Sequence, residues 1–354
     1  MKNILLLISA LLFIACNNDS ETLVYIGSYT SVENPGIYVY SFNEKTGKLT
    51  RKQEISNVEN PSYLALSDNN KYLYSVSERS EEPQVNKYKV NGDSLEYLNF
   101  TPNHGADPCY IAVSKNNNYV VTANYTGGSL SFISNTLQET KVWDFNDSVS
   151  KSHIHCTVFS PDNKYLFVTD LGKDRIYRFN VHSNSIDYND SVYFDLEKGS
   201  GPRHLVFHPS NKYVYVINEL SGKVTGFNYF DGILSPFQYV ASDSTSGTNN
   251  KGSGDIHISP DGKFLYSSNR LVADGISIFS IDNESGLLTK IAYQDTGAHP
   301  RNFAISSDGR FLLVASRDNN EIGVFERNME NGLLKSTGMK EQISKPVCII
   351  FQKK

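Results

Sequence analysis

Tyr63-Leu64-Ala65-Leu66-Ser67-Asp68-Asn69-Asn70-Lys71-Tyr72-Leu73-Tyr74-Ser75-Val76-Ser77 is an apolar run, a polar turn and a second apolar run rich in Tyr and Val. That is the composition of a β-hairpin. Diverged copies of it recur almost to the C-terminus. With Pro61 as the first anchor, the matching positions are Pro108, Ile154, Pro202, Ser253, Pro300 and Pro346, spaced by 47, 46, 48, 51, 47 and 46 residues. Each copy continues into two weaker strand patterns, and a period of this size with four strands is that of a β-propeller blade. The anchors predict seven blades of four antiparallel strands.

The chain ends predict how the ring closes. The last copy stops after its first strand, residues 347–351, whereas residues 23–29 match a second strand and are followed by strand patterns at 37–42 and 49–55. Neither end is a whole blade, and together they make one. Pairing them removes two open sheet edges. Composition agrees with an all-β fold: Tyr (22) and Phe (19) are plentiful, no long helical period appears, and Asn, Asp, Gly and Ser recur at turn spacing. Residues 23–354 are therefore read as one propeller domain.

The first residues have another character. A short basic start, an apolar run over 4–14 and then Ala15-Cys16 precede the polar stretch Asn17-Asn18-Asp19-Ser20. A run of eleven residues is too short to span a bilayer, so the segment reads as a signal peptide. It resembles a bacterial lipoprotein signal, with residues 1–15 removed, Cys16 lipidated and 16–22 a tether; Phe13 stands where such signals usually carry Leu. A cell-envelope location follows, with membrane contact through the lipid alone. A formal charge of −5 and the absence of a Lys/Arg run exclude nucleic acid as a partner. Cys109, Cys156 and Cys348 have no metal-ligand spacing and are expected to be buried and unpaired, so neither a metal nor another cofactor is expected.

Candidate chemistry lies where the repeat stops repeating. In a hairpin the start of the first strand lies beside the end of the second, so two columns meet on one face of each blade. The first strand is innermost, so both columns are expected at the mouth of the central channel, where a propeller has room for a ligand. After the anchors stand Ser62, Cys109, His155, Arg203, Gly254, Arg301 and Val347; at the second-strand ends stand Tyr29, Glu78, Tyr125, Leu171, Glu219, Arg270 and Arg317. Intervening columns are apolar, as in Leu64, Ile111, Leu205, Ile256 and Phe303. Arginines with His and Glu in a concave site suit an anionic, oxygen-rich small molecule, because guanidinium grips carboxylate or phosphate with two N–H groups. The alternative is that these charges are solvated or merely tie blades together. His153, His204, His208 and His257 sit within strands, where a hydrogen-bonded core role is the more common one.

The motifs Ser152-His153-Ile154-His155, Thr169-Asp170-Leu171-Gly172-Lys173-Asp174, Gly201-Pro202-Arg203-His204, Asn218-Glu219 and Ser268-Asn269-Arg270 resemble those of the seven-bladed lactonase family. That family includes 6-phosphogluconolactonases of the cycloisomerase type and carboxymuconate-lactonising enzymes. The resemblance implies metal-independent hydrolysis of a sugar lactone, with His155, Arg203, Glu219 and Arg270 as the catalytic set. His155 is then the general base, the two arginines hold the substrate's oxygens and the oxyanion, and Glu219 orients an Arg or a water. Asn124, Tyr125, His153, His204, Arg301, Arg317 and Glu78 complete the expected pocket. The longest repeat gap, at residues 244–252, is an expected rim loop. The rival readings are a non-catalytic ligand-binding propeller and a lactone-forming cycloisomerase.

Overall fold

The computed structural model describes residues 21–138, 140–182, 185–245 and 252–353; the expected signal segment with Cys16 and most of the expected rim loop lie outside them. Seven four-stranded antiparallel sheets are present, each with its first strand innermost. Blades 1 to 6 begin at Leu64, Pro108, Ile154, Pro202, Ile256 and Pro300. The seventh is composite, with strand order Pro346–Phe351, Glu21–Ser28, Ile37–Asn43, Leu49–Ile55. Val24 pairs with Phe351, Tyr25 with Ile350 and Ile26 with Ile349, as the complementary chain ends require.

The repeated turn explains its own sequence. Ser67 Oγ donates to Asn69 Oδ1 and accepts from Tyr72 N–H, closing the hairpin on side-chain hydrogen bonds. Ser160 with Asp162, Ser259 with Asp261 and Ser306 with Asp308 do the same. The residue after the Asn or Asp that accepts from the serine is left-handed, at φ 56° in Asn70 and Asn163 and 72° in Gly262, hence Asn or Gly there.

The core lies between blades. Tyr119–Asn124, Tyr213–Asn218 and Phe264–Asn269 are buried at every position, because each middle strand is covered on both faces. Outer strands such as Leu334–Gln342 alternate toward solvent. The seam is packed like the rest: Val24, Ile26, Tyr40 and Phe42 of blade 7 meet Phe311, Leu313 and Val324 of blade 6. On its other side, Tyr25, Val39 and Cys348 meet Leu64, Leu73 and Tyr88 of blade 1. Cys109, Cys156 and Cys348 are buried free thiols.

Candidate active site at the channel mouth

The first divergent column has a backbone cause. In blades 2, 3, 4, 6 and 7 the ladder between the inner and second strands slips at Cys109, His155, Arg203, Arg301 and Val347, each flanked by paired neighbours. These are β-bulges, which leave one residue out of the ladder and re-aim its side chain. In blades 1 and 5 the inner strands are Leu64–Leu66 and Ile256–Ile258, so Ser62 and Gly254 precede the ladder altogether.

The bulged side chains and the second-strand ends converge. Arg203 Nε lies 2.9 Å and Arg270 Nη2 3.2 Å from the same oxygen, Glu219 Oε2. Both guanidiniums are nearly sealed from solvent, whereas the Glu219 side chain is one-quarter exposed. Arg203 Nη1 also donates to Gly254 O and Arg270 Nε to Gly252 O. Arg203 Nη2 and Arg270 Nη1 have no protein partner among the described residues.

His155 is buried beside them, its ring 5.2 Å from that of His204 and 5.7 Å from that of Tyr125, with Nδ1 unpartnered. Burial first, then the charge of Arg203, hold its pKa well below the usual histidine value, so the imidazole is neutral. Burial raises the Glu219 pKa, but Arg270, Arg203 and Arg301 outweigh it and keep the carboxyl ionised. Arg301 completes the mouth with its guanidinium 5.3 Å from the Tyr29 ring centre. The Tyr29 hydroxyl donates to the Glu78 carboxylate at 2.9 Å.

The remaining expected residues divide. Tyr125 stacks on His153, whose Nδ1 lies 3.1 Å from Tyr125 O, so both form the wall beside His155. His204 stands behind Arg203: its Nδ1 is 2.6 Å from Asp255 Oδ1 and its Nε2 3.2 Å from Arg203 Nη1. Two residues depart from the expectation. Asn124 is fully buried and spends its amide on Asn103, Ser129 and Ser131, because its position pairs in register with Pro108 and turns it into the blade. Arg317 opens a 3-10 turn and is held by both oxygens of Asp318, at 2.6 and 3.1 Å. His257 and His208 are hydrogen-bonded, to Asp255 and to Ser210 and Gly262. Sequence reading missed His299, buried near Arg270 and Arg317; its place one residue before an anchor was the available signal. Among the described residues no group of three His, Cys, Asp or Glu side chains is set to hold a metal ion.

The histidines make stability acid-sensitive. His204 is pushed down to about 4 and His299 to about 3, burial being the main cause, and His155 is also lowered. Their folded values lie below the unfolded value near 6.5, so the unfolded chain binds more protons and stability falls with pH from about 6.5 toward 4. His257 has the opposite sign: burial lowers its pKa, but the charge and hydrogen bond of Asp255 outweigh that and raise it, so its contribution is full below the unfolded value and lost as pH rises. Three against one predicts a midpoint lower by roughly 5–10 °C at pH 4.5 than at pH 7. Scanning calorimetry across that range checks it; a flat profile would contradict the burial of these rings.

The family described as lactonase, 7-bladed beta-propeller, matches residues 23–351. The chain is 39% identical over 334 residues to a 6-phosphogluconolactonase of Formosa agariphila, covering 88% of this chain and 94% of that one. It is 30% identical to a 6-phosphogluconolactonase of Bacillus subtilis, over 92% of this chain and 97% of the other. A crystal structure of a putative 6-phosphogluconolactonase from Bacteroides fragilis superposes with TM-score 0.88 at 41% identity, covering 95% and 99% of the two chains. A periplasmic gluconolactonase of Pseudomonas aeruginosa gives 0.86 at 27% identity, covering 94% and 99%. The bulged inner strands, the mouth they line and these matches place the chain in the seven-bladed β-propeller lactonase family.

Proposed function

We propose that this protein hydrolyses a sugar lactone at the channel mouth. The observation that carries the reading is the bridging of two buried guanidiniums by Glu219 Oε2 beside a neutral, buried imidazole. Water attacks the lactone carbonyl while the His155 imidazole accepts its proton; the ring C–O bond then breaks and the proton passes to the departing oxygen as a hydroxyl. Charge that develops on the carbonyl oxygen meets the spare N–H edges of Arg203 and Arg270, fixed in place before the reaction. Glu219 makes it feasible to keep two cations adjacent in a site closed to solvent. The carboxylate product releases one proton to solvent at neutral pH.

The choice of substrate rests on the proposed location. An apolar leader ending at Cys16 exports the protein to the cell envelope, where a lipid on that residue holds it. Phosphorylated sugar lactones are cytoplasmic metabolites, so an unphosphorylated aldonolactone is the substrate proposed here. The similar periplasmic gluconolactonase supports that choice. Acid release from glucono-δ-lactone and its 6-phosphate, followed above the spontaneous rate with the purified domain from residue 21, tests both points. Background rates on every lactone would favour a binding propeller instead. Cys16→Ser is expected to move the protein from the membrane fraction to the soluble fraction; unchanged fractionation would remove the lipid anchor.

A further inference from the structure

In blade 5 the column that elsewhere carries His155, Arg203 or Arg301 holds Gly254, which has no side chain to offer. Its main chain does the work. Gly254 O accepts from Arg203 Nη1 at 2.5 Å, Gly252 O from Arg270 Nε at 2.6 Å and Ser253 O from Arg270 Nη2 at 3.2 Å. Asp255 then reaches Arg203 indirectly. Its carboxyl is held ionised despite burial, chiefly by His257 and His204, so it only accepts, and His204 Nδ1 must carry the proton at their 2.6 Å contact. That leaves His204 Nε2 as the acceptor facing Arg203 Nη1 at 3.2 Å.

Three of the four residues are themselves tied down. Gly254 N–H donates to Ser268 O and Asp255 N–H to Ser268 Oγ. Ser253 Oγ donates to Asn269 Oδ1, while Asp255 Oδ2 accepts from Asn302 Nδ2 of blade 6 and His257 Nε2. A Cβ on Gly254 would come within 2.7 Å of Ser268 Oγ and 3.0 Å of Arg301 O, so glycine is required for the carbonyl to sit where it does.

We propose that Gly252-Ser253-Gly254-Asp255 is a positioning clamp for the reaction, one segment that sets the orientation of both arginines. Carbonyls suit the task because they accept from a guanidinium without adding charge, leaving Glu219 as the counter-ion that the pair shares among the described residues. The locked edges of each fork are those facing the segment, and the spare edges are turned to the substrate. The clamp rests on the lactonase reading for its kinetic readout, and has a second readout independent of it.

The kinetic test is a double-mutant cycle with Gly254→Ala and Arg203→Met on the lactone that the wild type hydrolyses. Gly254→Ala is expected to lower kcat by about 10-fold or more with KM changed by less than about 3-fold, the signature of an interaction made in the transition state. In the Arg203→Met background the same change is expected to cost less than about 2-fold. An equal loss in both backgrounds, or unchanged kcat in Gly254→Ala, overturns the clamp. Should Gly254→Ala fail to fold, His204→Phe keeps the ring and removes both nitrogens, and the same cycle applies. The independent readout is hydrogen exchange of the arginine guanidinium N–H signals in NMR, Nε–H for Arg270 and Nη1–H for Arg203. Arg270 Nε–H and Arg203 Nη1–H should exchange slowly in the wild type, and Arg203 Nη1–H alone should lose its protection in Gly254→Ala. Unprotected wild-type signals refute the clamp, whereas protected signals without turnover of any lactone refute the lactonase reading only.

Discussion

His155→Gln is expected to lower kcat on the preferred lactone by about 10²–10⁴-fold with the fold intact, the range typical of losing a general base. Glutamine fills similar space and hydrogen-bonds, but it takes up no proton. The replacement removes no charge at neutral pH, and in acid it removes a ring on which burial, Arg203, His204, Arg301 and Arg270 all disfavour protonation. The variant should therefore melt no lower than the wild type, and its acid destabilisation should be reduced. A ring kept neutral this strongly also moves the acid limb of kcat/KM well below pH 6.5, away from the value of an ordinary histidine. Steady-state kinetics from pH 4.5 to 8 measures both. Full activity in His155→Gln would retain the enzyme but not this base, and Glu219, the ionised and partly exposed acid of the cluster, would be next in line.

Deleting residues 345–354 is expected to leave a protein with no cooperative unfolding transition. The lost strand buries Val347, Cys348 and Ile349 and completes the hydrogen-bond ladder of Glu21–Ser28. At about 1.5–3 kcal/mol per buried side chain the apolar loss alone is roughly 5–9 kcal/mol. That matches the total stability of an ordinary domain, about 5–15 kcal/mol. Further losses follow in blade 6, where Asn302 Oδ1 accepts Ile349 N–H at 2.7 Å. Thermal unfolding of the truncated protein, and its rescue by a peptide of residues 345–354 added in trans, check this. A midpoint within about 5 °C of the full chain would mean that the ring does not need its closure.

The ring was legible because a blade is a local object with a fixed period, so anchors at Pro61, Pro108 and Pro202 gave its phase without any long-range information. The closing blade was legible for the same reason, each chain end being an incomplete copy. Within the site, the columns told which strand end a residue occupies but not where its side chain goes. Arg203 reaches the mouth because a bulge frees it from the ladder. Asn124 sits in a divergent stretch too, yet in-register pairing turns it inward. Arg317 carries the right charge, but its neighbour Asp318 captures it. The hold of Gly254 on Arg203 left no trace in the sequence beyond a glycine, since a carbonyl is present at every position and only geometry selects one. The sharing of one Glu219 oxygen by two arginines of different blades is likewise a property of the assembled ring.

The pairing of Val24 with Phe351 also sets a schedule for the protein's synthesis. During translation the first strand waits for almost the whole polypeptide, and six blades are made while the seventh lacks its inner partner. The two flanking sheet edges stay sticky throughout that interval, and joining the ends last is a slow, long-range step. The ring therefore locks only once the final strand has emerged, so the last residues made decide when the first ones are fixed.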